Sequence, residues 1–174
     1  MIALPAGFEL SRVEIGPHDN RHECGRLAAR RAIAALGEDP DTLAYDGTRP
    51  IVTTGDAVSI SITHNRTTAL AVAARVSRLG IDLCDDDPRL AGLAARFLVD
   101  EQWLVTTPQD LVACFAAKEA ALKALGLGLV DGGVLDGTAV TIVSLDPPRL
   151  SHADLRLAVA RVAGGAVAVV YTSD

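Results

Sequence analysis

Leu79-Gly80-Ile81-Asp82-Leu83-Cys84 is an apolar run with a single carboxylate in its middle. Its length and composition predict a strand over Gly80–Cys84, and a period of two puts Ile81 and Leu83 on one face and Asp82 and Cys84 on the other. A carboxylate inside an apolar strand needs a hydrogen-bonding partner, a metal ion or a solvated cleft. Asp82 is therefore either a satisfied structural aspartate or part of a site. Upstream, Ala57–Thr63 and Thr68–Val76 also read as strands. The short polar turn at Ser77-Arg78 predicts a hairpin joining Thr68–Val76 to Gly80–Cys84.

Further outward, Phe8–Ile15 alternates as a strand would, and Arg21–Leu36 reads as a helix stopped by Gly37. Glu38–Pro50 is turn-rich, and Leu90–Val99 is helical. Thr107-Pro108-Gln109-Asp110 is a helix start: a capping hydroxyl, a proline at the first helical position and an acid at the positive end of the dipole. That helix runs to Leu125 and ends at Gly126. Strands follow at Ala139–Leu145, Leu155–Val162 and Ala166–Thr172, the last two about the turn Gly164-Gly165. The fold class is α+β with antiparallel strands. Leu27-Ala28-Ala29-Arg30-Arg31-Ala32 resembles Phe115-Ala116-Ala117-Lys118-Glu119-Ala120, and each segment soon reaches Ala-Leu-Gly. This reads either as two alanine-rich helices or as a duplicated unit, one domain over 1–174 with halves of roughly 1–76 and 77–174.

The 174 residues are 49% apolar, which is ample for a core and excludes global disorder. Twenty-two acidic against sixteen basic side chains give a net charge of −6, which argues against binding duplex nucleic acid non-specifically. The N-terminus lacks a charged and apolar leader pattern, and Ala163–Tyr171 is too short and glycine-rich to span a bilayer, so no membrane association is expected. Three cysteines without metal spacing fit a reduced, cytoplasmic setting.

Fourteen of the sixteen basic residues are arginine, and the two lysines, Lys118 and Lys123, share one helix. Lysine is a compact point charge that suits a phosphate. Glu119 lies four residues before Lys123 and so on the same helical face; taken alone, this is an ordinary surface ion pair. Thr63-His64 ends a strand and could reach a phosphate, or could be structural. Arg49, Arg21, Arg26, Arg30 and Arg31 are further anion-binding candidates, or simply solubilising charges. Asp85-Asp86-Asp87 reads as a solvated turn. His18, His22 and His152 form no triad, and a Cys84–His64 nucleophile pair has no supporting elbow motif.

In order along the chain, Ser61-Ile62-Thr63-His64, Gly80-Ile81-Asp82 and Phe115-Ala116-Ala117-Lys118-Glu119-Ala120-Ala121-Leu122-Lys123 resemble the 4′-phosphopantetheinyl transferase superfamily. Arg89–Trp103, with Arg96-Phe97 and Glu101, is similar to that family's linking segment, so the resemblance runs from Arg21 to Gly128. It implies that the chain moves the phosphopantetheine arm of coenzyme A to a serine hydroxyl of an apo acyl or peptidyl carrier protein, releasing 3′,5′-ADP. Fatty-acid, polyketide and nonribosomal-peptide carriers are all compatible with it. By the same resemblance Asp82 and Glu119 hold Mg²⁺ on the pyrophosphate, a hard cation suited to few carboxylates plus phosphate oxygens. Lys118, Lys123, His64, Thr63 and Arg49 bind phosphates, and Arg21 and Arg26 suit the nucleotide's 3′-phosphate. Glu119, or a water at the metal, takes the serine proton, so Glu119, Asp82 and Lys123 form the catalytic set.

A His-bearing strand before Gly80-Ile81-Asp82 is similar to the surfactin type, a monomer of two pseudo-repeated halves, whereas Phe-Ala-Ala-Lys-Glu-Ala is spelled as in the holo-acyl-carrier-protein synthase type. Cys84 stands where the surfactin type carries a third metal-binding Glu, and a thiol is a poor ligand for Mg²⁺. Phe115 stands where that type often has Trp. Cys84 motivates an alternative, a catalytically impaired member that still binds coenzyme A or a carrier protein. A small-molecule acyl or phosphoryl transferase is a third reading.

Overall fold

The computed structural model describes residues 2–53, 58–127 and 139–173. In chain order the elements are β1 (Phe8–Glu14), α1 (Arg21–Ala35), β2 (Leu43–Asp46), β3 (Arg49–Val52), β4 (Ser59–His64), β5 (Thr68–Ala74), β6 (Leu79–Asp85), α2 (Leu90–Phe97), α3 (Pro108–Ala124), β7 (Ile142–Leu145), β8 (Pro148–Leu150), β9 (Leu155–Val162) and β10 (Gly165–Thr172). Two three-stranded antiparallel sheets carry the fold, in the orders β1-β5-β4 and β6-β10-β9. Each sheet is built the same way: an edge strand, a long helix, then two strands of which the last is central. The class is mixed α+β, as the sequence predicts.

The central strands explain the layering. Ala69, Ala71 and Ala73 of β5 pack with Ala28, Ala29, Ala32 and Ile33 of α1. Leu70, Val72 and Ala74 point the other way, onto Ile81, Val167 and Val169 of the second sheet. In β10 the pattern is mirrored, with Ala166, Ala168 and Val170 facing α3. The order of layers is therefore α1, sheet, sheet, α3. Alanines on the helix-facing sides let both helices sit close, which is how a chain with 3% aromatics fills a core.

The expected hairpin between Thr68–Val76 and Gly80–Cys84 does not form. β5 pairs with β1 and β4, and β6 pairs with β10. Both edges of β5 are taken, so the chain crosses to the other sheet at Val76–Arg78. Ser59 Oγ donates to the Val76 carbonyl at 2.7 Å, and Arg78 N–H donates to Thr172 Oγ1 at 3.3 Å, satisfying the backbone at the crossing. The turn-rich stretch Glu38–Pro50 holds part of a small hairpin, β2 with β3, closed by Gly47 at φ 59° after Asp46. The strand expected over Ala139–Leu145 begins at Ile142 and pairs with β8. Ala57 lies outside the described residues.

Helix α3 starts as its sequence predicts. Thr107 accepts from Asp110 N–H at 3.1 Å and Asp110 Oδ2 accepts from Thr107 N–H at 2.9 Å, a reciprocal capping box. Asp110 also accepts from Thr106 Oγ1 at 2.7 Å and pairs with Arg161 of β9. The Thr106 hydroxyl bond is the main cause holding its carboxyl below the ordinary range. Replacing Asp110 by alanine is expected to cost about 1–2 kcal/mol of stability, read from urea unfolding. A depressed folded-state pKa gives stability that is present above 3.8 and lost as pH falls through the folded value, so the gap between wild type and variant closes in acid.

Strand β6 lies against α3 with no room for a side chain at Gly80. A Cβ there would lie 2.0 Å from the Ala120 carbonyl oxygen and 2.7 Å from Ala124 N, both backbone atoms. Gly80→Ala must push α3 off the strand, and a loss of about 1–3 kcal/mol or more is expected in chemical unfolding. This close approach brings Asp82, two residues on, to the face of α3 that carries Glu119 and Lys123.

Candidate active site

A cleft of about 520 Å³ opens between β3, β4 and the C-terminal half of α3. Pro50, Ile51, Val52, Ile60 and Ile62 give it apolar walls, Ser59 and Ser61 line it from β4, and Arg49, Glu119 and Lys123 bring charge. Arg49 crosses the end of α3 beside Gly126, whose missing side chain leaves the guanidinium its place.

Asp82 is buried on β6, with Ile81 and Leu83 packed between the sheets and Cys84 against the α3 side, as the alternation predicts. Its Oδ1 accepts from Lys123 Nζ at 2.7 Å and from Thr63 Oγ1 at 3.1 Å. Lys123 Nζ also donates to the Ile81 carbonyl at 3.0 Å, and its side chain stays 32% exposed, so the ammonium can still meet a solute in the cleft. Glu119, one turn earlier on α3, presses on the same carboxylate. Burial first, then the Asp82 charge, push the Glu119 acid up to about 8, Lys123 opposing and a hydrogen bond with Asp82 assisting.

Ser61 and Thr63 tie the two sheets together here. Ser61 Oγ accepts from Ile81 N–H at 3.0 Å and Thr63 Oγ1 from Leu83 N–H at 3.2 Å. Two hydroxyls spaced two residues apart on β4 thus take the place of a backbone ladder between two edge strands. Polar residues alternating inside Ser59-Ile60-Ser61-Ile62-Thr63 were the visible sequence signal for this, and the reading from sequence missed it.

His64 sits at the end of β4 with its ring 5.4 Å from that of His22. Its pKa is lowered by burial, then by His22, with Arg21 and Lys123 adding to the same direction, which makes it a neutral imidazole among cations. Arg21 and Lys123 thereby make one positive region around His64. Arg26 does not join it. That side chain is exposed, pairs with Glu23 at 2.6 Å and lies 5.4 Å over the Tyr45 ring.

Lys118 is the main correction to the residue set. One position before Glu119 on a helix points a side chain about a quarter-turn away, and Lys118 is 1% exposed inside the protein. Its ammonium donates to both oxygens of Glu101, at 2.6 and 2.7 Å, and stands 5.8 Å over the Phe97 ring. The charge is already matched there, away from the cleft walls. Asp87 is likewise engaged, its carboxyl held down at about 2 by Arg89, in keeping with a solvated turn.

Among the described residues no three His, Cys, Asp or Glu side chains form a group able to hold a metal ion. Cys84 adds no ligand: burial, then Asp82 and Glu119, raise its thiol to about 12, so it stays a neutral sulfur. What remains is two hard carboxylates pressed together in a partly buried place, the Asp82 charge disfavouring that of Glu119. A divalent cation relieves that repulsion, and Mg²⁺ takes one or two carboxylates when substrate phosphates and water complete its shell. Asp82 and Glu119 fit such an ion.

Among the described residues, no helix is long and apolar enough to cross a membrane. No curated protein matches the chain. A family model, the 4′-phosphopantetheinyl transferase N-terminal domain, matches residues 21–74, from α1 through β5. Arg21, Arg26, Arg49, Thr63 and His64 lie inside the match, and Asp82, Glu119 and Lys123 lie beyond it. Over that segment the chain is similar to the phosphopantetheinyl transferase superfamily.

Proposed function

We propose that the chain transfers the 4′-phosphopantetheine arm of coenzyme A to a serine of an apo carrier protein. The observation that carries this reading is that Glu119 and Lys123 line a cleft whose other wall belongs to the matched N-terminal segment, with buried Asp82 meeting both of them just behind that wall. In the reaction the serine hydroxyl gives its proton to the Glu119 carboxylate or a water, its oxygen bonds to the phosphorus that bears the pantetheine, the bond from that phosphorus to the bridging oxygen breaks, and 3′,5′-ADP leaves with the electron pair. Asp82 and Glu119 would hold Mg²⁺, which when bound neutralises pyrophosphate charge and polarises its oxygens. Lys123 places a half-solvated ammonium where a phosphate oxygen can meet it, and Arg49 offers a second cation from the opposite wall. Arg21 extends the positive region toward the 3′-phosphate, and the neutral His64 imidazole offers a phosphate a hydrogen bond. Burial keeps bulk water from the Asp82 side, while Lys123 and Glu119 remain open to the cleft.

The same reading takes the two like-ordered sheets as pseudo-repeated halves, roughly 1–76 and 77–174, of one monomeric domain working in the cytoplasm, where its three thiols stay free. Intact-mass spectrometry of an apo carrier protein incubated with the chain, coenzyme A and Mg²⁺ tests it. A mass gain of one phosphopantetheine, abolished by EDTA, is expected. Lys123→Ala should raise the coenzyme A dissociation constant roughly ten- to a hundredfold, the worth of one charge-assisted hydrogen bond, by calorimetry. An unchanged constant removes Lys123 from the phosphate site.

The neutral Cys84 beside the carboxylates favours a second reading, a member that binds coenzyme A or a carrier protein and turns over poorly. Coenzyme A binding without carrier modification, with activity gained in Cys84→Glu, would select it.

A further inference from the structure

We infer that Thr63 is a positioning residue, whose hydroxyl fixes which oxygen of Asp82 is offered to a cation and does not itself bind phosphate. The inference rests on the reading of Asp82 as a cation ligand. A threonine hydroxyl has one proton and two acceptor sites. Leu83 N–H can only donate, at 3.2 Å, so it occupies an acceptor site of Oγ1. The Asp82 Oδ1 atom accepts from it at 3.1 Å, so the single hydroxyl proton goes there. With its donor spent and 6% of its surface exposed, Thr63 has nothing to give a phosphate.

Thr63 Oγ1 and Lys123 Nζ both donate to Oδ1 of Asp82, and Glu119 is a further hydrogen-bond partner of the same carboxylate. Oδ2 is the oxygen that Thr63 and Lys123 leave for a cation shared with Glu119. Lys123 swings on a flexible stem, whereas Thr63 is β-branched, stiff at χ1 and pinned to the backbone of the strand that bears Asp82. The carboxylate's rotation about its last bond is therefore set by a residue from the other sheet. A ligating carboxylate whose outer hydrogen-bond partner is removed typically loses metal affinity without losing a ligand.

The test uses Mn²⁺ alone as the probe, titrated into the whole chain and followed by the free-ion electron paramagnetic resonance signal. The variants are Thr63→Val, Thr63→Ala, Thr63→Ser and Asp82→Asn, each checked for folding by circular dichroism. Thr63→Val is expected to weaken Mn²⁺ binding about ten- to a hundredfold, with Thr63→Ala, a smaller change for the fold to absorb, matching it. Thr63→Ser, which keeps the hydroxyl, should restore affinity to within about threefold of wild type. Coenzyme A affinity measured in EDTA should be the same in wild type and Thr63→Val. Wild-type Mn²⁺ affinity in Thr63→Val and Thr63→Ala, with loss in Asp82→Asn, overturns the role of Thr63 alone. Weaker coenzyme A binding by Thr63→Val in EDTA assigns the hydroxyl to phosphate and overturns it too. Wild-type affinity in Asp82→Asn, or no binding by wild type, overturns the cation reading beneath it.

Discussion

Asp82→Ala and Glu119→Ala each lower phosphopantetheine transfer by at least about a hundredfold while the chain stays folded, the loss expected when a preorganised charge is removed from a phosphoryl-transfer site. The stability half of this expectation follows from the surroundings. Removing Asp82 strands Lys123, but that ammonium is 32% exposed and can turn to water. Removing Glu119 takes away a carboxyl whose charge burial and Asp82 already disfavour. Neither change leaves an unpaired charge in the core, so urea midpoints should move little compared with the rates. Initial rates by intact mass and unfolding of the same samples give both quantities. Near wild-type rates in both variants would remove the two-carboxylate model.

Much of this site was legible in the sequence because it depends on short periods. Period two set Asp82 and Cys84 on one face of β6, and a separation of four set Glu119 beside Lys123 on α3. The start of α3 was written in its capping box. Pairing between strands was not legible. Ser77-Arg78 has the composition of a hairpin turn, and only the tertiary competition for the edges of β5, filled by β1 and β4, turns it into a crossing. β2 and β3 escaped because four-residue strands, one of them with a proline, carry little periodic signal. The partner of Thr63 was hidden for the same reason as the crossing: its hydroxyl acts between two sheets, and no spacing along the chain records that.

Lys118 shows where a residue count misleads, and it carries the other large expected effect. Rarity of lysine pointed to phosphate for both lysines, yet burial separates them, 1% exposure for one and 32% for the other. Glu101, fully buried, accepts from Lys118 with both oxygens and from Ile142 N–H at 3.0 Å, joining the segment after α2 to α3 and β7. Taking two charges out of water is costly, and their attraction repays it only while the pair is intact. Glu101→Ala leaves an ammonium and a backbone N–H without their acceptor and should lose about 3–5 kcal/mol in urea unfolding. Glu101→Leu with Lys118→Met removes both charges at similar volume, and most of that loss should return, short of the roughly 1–3 kcal/mol left by the orphaned Ile142 N–H. The double variant separates the two roles for Lys118. If its charge only closes a buried pair, coenzyme A binds the double variant as it binds wild type; a loss of affinity in a protein that unfolds normally would return Lys118 to the phosphate site.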